Sequence, residues 1–273
     1  MEILKSFVSQ MLFTFGVVVV FGAAIALCRH LFVKLMGYSG LIILLVTGAV
    51  GIPVHELSHA AMCILFGHRI EEMALYRPNL SGEMPGYVYH AYNKRNLYHQ
   101  IGNVFIGIAP ILCGSGVLLL LMRWLVPDIF GTVMGIFHEM RLLDANWTSA
   151  ETYMAYGNAL KDMVLAIFSP DYLSSVRFWV YVVLAVSISC HMELSLSDIR
   201  AAAKGMAYLS VLVLAFDAIL FVVSRKTLAT VTATMLAFSS TIIGFLTISL
   251  VFSLAFLAFA FAWRVLHKIL LRR

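Results

Sequence analysis

The chain has 273 residues, of which 62% are hydrophobic and only 12% are Asp, Glu, Lys or Arg. Soluble domains carry about twice that charged share, and several apolar runs here reach the roughly 20 residues that cross a bilayer. The composition therefore specifies a polytopic membrane protein and excludes a disordered chain, a secreted disulfide scaffold and a soluble multidomain enzyme. The net charge of +5 comes from basic residues scattered in ones and twos. They form no aromatic-interleaved patch of the kind that binds nucleic acid, and they suit anionic lipid headgroups. Cys28, Cys63, Cys113 and Cys190 lie in or beside apolar runs without CxxC spacing and read as reduced, packed thiols.

In chain order, hydropathy draws six spans: Phe7–Cys28, Leu41–Phe66, Ile101–Val126, Val176–Leu196, Ala202–Val223 and Thr232–Val265. The first is too long for the apolar core of a signal peptide and reads as a retained span. The last is overlong, which implies tilt or an interfacial end.

Between the second and third spans, Gly67–Gln100 is polar and rich in Tyr, Gly and Pro. Its alternating stretches Arg69–Tyr76 and Tyr87–Tyr92, separated by Pro78-Asn79-Leu80-Ser81-Gly82 and Pro85-Gly86, predict a β-hairpin. The connection Pro127–Ser175 holds six acids (Asp128, Glu139, Asp144, Glu151, Asp162, Asp171) and helix-spaced apolar positions, so interfacial helices are expected there. The expected fold is an all-α polytopic membrane protein of about six transmembrane helices with a short membrane-associated β-hairpin. Cytoplasmic termini put eleven basic residues inside and leave eight outside, with the acidic connection outside.

The stretch that carries chemistry is His55-Glu56-Leu57-Ser58-His59, an HExxH inside the second span. Its histidines sit one turn apart on one helix face and suit one zinc ion, and Glu56 beside them suits a general base acting on water. Ionisable groups in an apolar span are expensive to hold there and are usually functional. Pro53, with Gly48 and Gly51 close by, predicts a kink with room for water and substrate. Catalytic zinc usually takes a third protein ligand, and His191, Glu193, Asp198 and Asp217 are the candidates at membrane depth or its edge. Were Val176–Asp198 one helix, His191, Ser195 and Asp198 would share a face, with His191 and Asp198 about 10 Å apart.

The HExxH, continued by Ala60-Ala61 and Phe66-Gly67-His68-Arg69-Ile70, resembles the site-2 protease family of intramembrane zinc metalloproteases. Gly102-Asn103, Ala109-Pro110 and Gly114 are similar to the start of that family's next core helix. The resemblance covers about Leu41–Gly205 and implies a third ligand in Ser197-Asp198-Ile199, although the Asp198 setting lacks the family's preceding Pro and following Gly. It implies an organisation of residues 1–40 as an N-terminal transmembrane helix and connection, 41–205 as the metalloprotease core, and 206–273 as two C-terminal transmembrane helices.

On that resemblance the expected activity is hydrolysis of peptide bonds in transmembrane or membrane-associated substrates. One zinc ion would be held by His55, His59 and Asp198, with Glu56 as general base. His191 would donate to the transition state or orient a ligand, and Asn103 would contact the substrate backbone. The Gly86–Tyr92 stretch offers a strand edge for an extended substrate, or an aromatic belt at the headgroups. Size and the lack of eukaryotic sorting signals point to a bacterial cell membrane. The rival reading is a zinc-binding membrane protein that cleaves nothing: a transporter, sensor or scaffold. An intact Glu56 between the histidines weighs against a scaffold.

Overall fold

The structure is a computed structural model that describes residues 1–78, 85–142 and 149–270. Part of the expected hairpin turn (Asn79 to Gly82) and Asp144 of the acidic connection lie outside the described residues. In chain order the helices are α1 (Glu2–Met11), α2 (Val17–Met36) and α3 (Tyr38–Leu65), with a π-helical turn at Leu12–Gly16 joining the first two. Strands β1 (Arg69–Ala74) and β2 (Tyr87–Ala91) come next, and then α4 (Leu97–Leu125), α5 (Pro127–Leu142) and α6 (Ala150–Ile167). Helices α7 (Val176–Ser189), α8 (Leu196–Val223) and α9 (Arg225–Leu270) follow.

Among the described residues, five helical segments are long and apolar enough to cross a membrane: Glu2–Met36, α3, α4, α8 and α9. The fourth expected span, Val176–Leu196, is the exception. Helix α7 has 14 residues, about 21 Å against a hydrocarbon core of about 30 Å, and it ends at Ser189. The next helix then starts at Leu196 rather than at Ala202, so His191, Ser195 and Asp198 do not share a helix face. The physical reason is a capping box. Ser195 Oγ accepts from the Asp198 amide at 3.1 Å, and Asp198 Oδ2 accepts from the Ser195 amide at 3.0 Å, which nucleates a new helix at that point. Helix α3 runs through Pro53 as one helix. Helix α9 runs for 46 residues, roughly 69 Å, well beyond one bilayer core.

The hairpin forms where the alternation placed it. β1 and β2 pair antiparallel with Arg69 opposite Ala91 and Ala74 opposite Tyr87, and a bulge falls between Ile70 and Glu72. The described part of the acidic connection is largely helical, as α5 and α6. Val133, Phe137 and Met140 of α5 and Met163 and Ile167 of α6 join the main hydrophobic core. There Phe137 packs on Gly244 of α9.

Close backbone packing sets the site. α4 and α8 run antiparallel in intimate contact, with glycine at two levels. A β-carbon on Gly107 would lie 2.7 Å from the Asp198 carbonyl oxygen, and one on Gly205 would lie 2.4 Å from the Gln100 carbonyl oxygen. Small residues let membrane helices approach in this way. The effect is to press the first turn of α8 against α4.

Candidate metal centre and catalytic site

Helix α3 presents His55 and His59 one turn apart, and two carbonyl groups fix their rings. His55 Nδ1 donates to the His191 carbonyl at 2.7 Å, and His59 Nδ1 donates to the Ile106 carbonyl of α4 at 2.8 Å. A carbonyl only accepts, so each imidazole carries its proton on Nδ1 and turns the Nε2 lone pair inward. Those two Nε2 atoms lie 3.1 Å apart. Facing lone pairs at that distance repel unless a cation lies between them. In a tetrahedral zinc site with Zn–N near 2.05 Å, two nitrogen ligands lie about 3.3 Å apart.

Asp198 completes the donor set from the first turn of α8. Its Oδ2 is committed to the capping box, where the Ser195 hydroxyl donates to it at 2.5 Å. Its Oδ1 faces the histidines, 3.6 Å from His59 Nε2. One donor atom from each of His55, His59 and Asp198 lies within 4.8 Å of the other two. Two imidazoles and one carboxylate, with carbonyls behind both rings, make a donor set and outer shell that suit zinc.

Glu56 opens into the same space, a cavity of about 220 Å³ that it lines with His55, His59, Asp198, Ser197 and Ile106. Gly86, Tyr87, Val88, Tyr89 and His90 form the opposite wall. The hairpin thus covers the face of α3 that carries His55 and His59. Since β2 pairs only with β1 among the described residues, its second edge carries no strand partner. The Tyr76 hydroxyl donates to the Leu45 carbonyl of α3, tying the end of β1 to the same helix. Tyr87 donates to the Glu72 carboxylate across the hairpin, and this hydrogen bond raises its phenol above the ordinary tyrosine range.

The remaining sequence candidates fall elsewhere. The His191 ring points away from the cavity, with Nε2 3.1 Å from the Leu44 carbonyl, and only its main-chain oxygen serves the site. Asn103 is buried in α4, one turn before Ile106, and is not part of the cavity wall. Its Nδ2 has no hydrogen-bond partner among the described residues. Glu193 pairs with Arg29 of α2. Asp217 is fully buried and accepts from Gln10 Nε2 at 3.1 Å, in a polar cluster that includes Ser6 and Thr232.

Three contributors carry no sequence signal of their own: the carbonyls of Ile106 and His191, and the Gly86 main chain against Glu56. A readable signal did mark a fourth, because Ser195-x-x-Asp198 has capping-box spacing. The chain matches no family model, no curated protein and no solved structure. Its five long apolar helices make it a membrane protein.

Proposed function

We propose that this protein is an intramembrane zinc metalloprotease that hydrolyses peptide bonds of membrane-embedded or membrane-proximal substrates. The observation that carries the reading is the convergence of the two Nε2 lone pairs and Asp198 Oδ1 in one cavity beside Glu56. His55, His59 and Asp198 would hold the zinc, one per chain. When bound there, zinc supplies a Lewis acid that polarises the scissile carbonyl and acidifies water.

Glu56 accepts a proton from the attacking water and returns it to the leaving amine, work that contributes about 10²- to 10⁴-fold in rate. The Ile106 and His191 carbonyls keep the imidazoles aimed, which removes ring reorientation from the cost of reaction. Asp198 keeps one oxygen for the helix cap and one for the cation, so the start of α8 cannot drift without loss of the ligand. A transmembrane helix exposes no peptide carbonyl, because each is bonded within the helix. The substrate must therefore enter extended, and the free edge of β2 offers main-chain hydrogen bonds to such a segment.

The test is Glu56→Gln in detergent-purified protein. Zinc content near one per chain at this centre should persist, while cleavage of unwound transmembrane peptides drops by at least about 100-fold. A wild type that takes up no zinc at His55, His59 and Asp198 would overturn the reading. Cleavage that survives Glu56→Gln would remove the assigned base.

A further inference from the structure

A second set of donors lies just past the catalytic motif, at the end of the same helix. Cys63 follows His59 by four residues, which places it one turn, about 6 Å, further along that face. Helix α3 then ends in a Schellman turn. Gly67 takes a positive φ of 69°, the His68 amide donates to the Cys63 carbonyl at 2.8 Å, and the Gly67 amide donates to the Ile64 carbonyl at 3.2 Å. That turn folds His68 back beside Cys63. The hairpin register supplies the third residue, because Ile70 opposes His90.

We propose that Cys63, His68 and His90 form a second metal site, for an ion of the zinc class, that fastens β2 to the end of α3. One donor atom from each lies within 4.8 Å of the others. His68 Nε2 donates to the His99 carbonyl at 2.9 Å, so its Nδ1 bears a lone pair, and that atom lies 3.0 Å from His90 Nδ1. A backbone carbonyl behind a ligating ring is the same outer-shell device that aims His55 and His59.

Cys63 and His68 are buried and His90 is partly so. The Tyr92 ring stacks on His68 at 4.7 Å and closes one side. One thiolate with two imidazoles suits zinc, and the Cys63 thiol releases its proton to solvent as the sulfur–metal bond forms.

The site would have a consequence for the first one. His90 also lines the catalytic cavity, so an ion at Cys63 fixes the wall against which a substrate strand lies. Three protein donors leave a coordination position for solvent.

Cobalt(II) titration of the metal-stripped full-length protein in detergent tests this independently of any protease activity. Wild type should bind two cobalt ions per chain and show thiolate-to-cobalt charge-transfer absorption. Cys63→Ser should lose that absorption and one equivalent. His55→Ala/His59→Ala should lose the other equivalent and keep the absorption. If Cys63→Ser does not fold, His90→Ala on the half-buried strand should lose the same equivalent. Cobalt uptake without thiolate absorption in the wild type, or absorption unchanged in Cys63→Ser, would overturn the second site while leaving the first untouched. Loss of uptake in His55→Ala/His59→Ala alone, with no thiolate signal anywhere, would support only the catalytic centre.

Discussion

The main chain of Gly86 lies against the side chain of Glu56, so that a β-carbon at position 86 would sit 2.9 Å from Glu56 Cγ and 3.0 Å from its Oε1. The same atom would lie 2.6 Å from Ile52 Cγ2, below any contact that real β-carbons show. Gly86 leads into β2, so the absent side chain is what lets the hairpin approach the proposed base. Gly86→Val should displace either the hairpin or Glu56 while leaving His55, His59 and Asp198 in place. The expected result is unchanged zinc content at the first centre with at least about a tenfold loss of cleavage, since small misplacements of catalytic groups are costly. Metal analysis beside a peptide-cleavage assay checks it, and wild-type cleavage would show that the hairpin can yield at this point.

Ser195 is a positioning residue for Asp198. Its hydroxyl accepts from the Asp198 amide and donates to Oδ2, which leaves Oδ1 directed at His59. Ser195→Ala removes both contacts and should cost about 1 kcal/mol of helix capping. Zinc affinity should fall by about 10- to 100-fold, the usual effect of losing a group that orients a ligand. Ser195→Thr retains a capping hydroxyl and should restore most of the affinity. Equilibrium competition with a zinc chelator measures all three proteins, and equal affinity for the alanine and threonine variants would separate the cap from the metal site.

The contact between α4 and α8 gives a third expectation. At Gly107 an added side chain meets the Asp198 carbonyl and the Ala202 β-carbon at 2.7 and 2.8 Å. Backbone and a short side chain cannot move aside, so Gly107→Val should force the helices apart at about 1–3 kcal/mol of overpacking. It should also draw Asp198 away from the histidines. Gly116, on the same helix, has nothing within 4 Å of its added β-carbon, and Gly116→Ala should be neutral or slightly stabilising. Thermal unfolding in detergent together with zinc content distinguishes the pair. Zinc retained in a destabilised Gly107→Val would mean that α8 can shift without carrying its ligand away.

How far the sequence reaches can be seen residue by residue. His55, Glu56 and His59 are legible because four-residue spacing on a helix fixes their geometry before any tertiary contact forms. Strands β1 and β2 are legible because alternation and turn residues are local. Asp198 is reached through a family likeness, while its local signal, the capping box, goes unseen by hydropathy, which draws Val176–Leu196 as one apolar run and does not register the break after Ser189. The placement of Gly86 and of the Ile106 carbonyl, and the approach of His90 to Cys63, are tertiary in origin. They depend on hairpin register and interhelical distance, which no short window contains.

Asp217 and Asp198 provide the last contrast, since both are aspartates of α8 and both were candidates for the third ligand. Asp217 lies five turns further along the helix, fully buried against α1, where Gln10 Nε2 donates to it and also reaches Ser6 Oγ at 2.9 Å and Thr232 Oγ1 at 3.2 Å. An amide oxygen can accept the Gln10 hydrogen bond as a carboxyl oxygen does, so Asp217→Asn should keep stability near wild type. Gln10→Leu should cost more, about 1–3 kcal/mol, because it strips a buried acceptor of its donor. Both variants should retain the zinc at His55 and His59. Asp198→Asn should behave in the opposite way: an amide at that position still caps α8, so the fold persists, but it is a poor zinc ligand and the first-centre metal is lost. Zinc analysis and unfolding of the three proteins side by side decide the matter. Loss of metal in Asp217→Asn with retention in Asp198→Asn would move the third ligand to the other end of the helix.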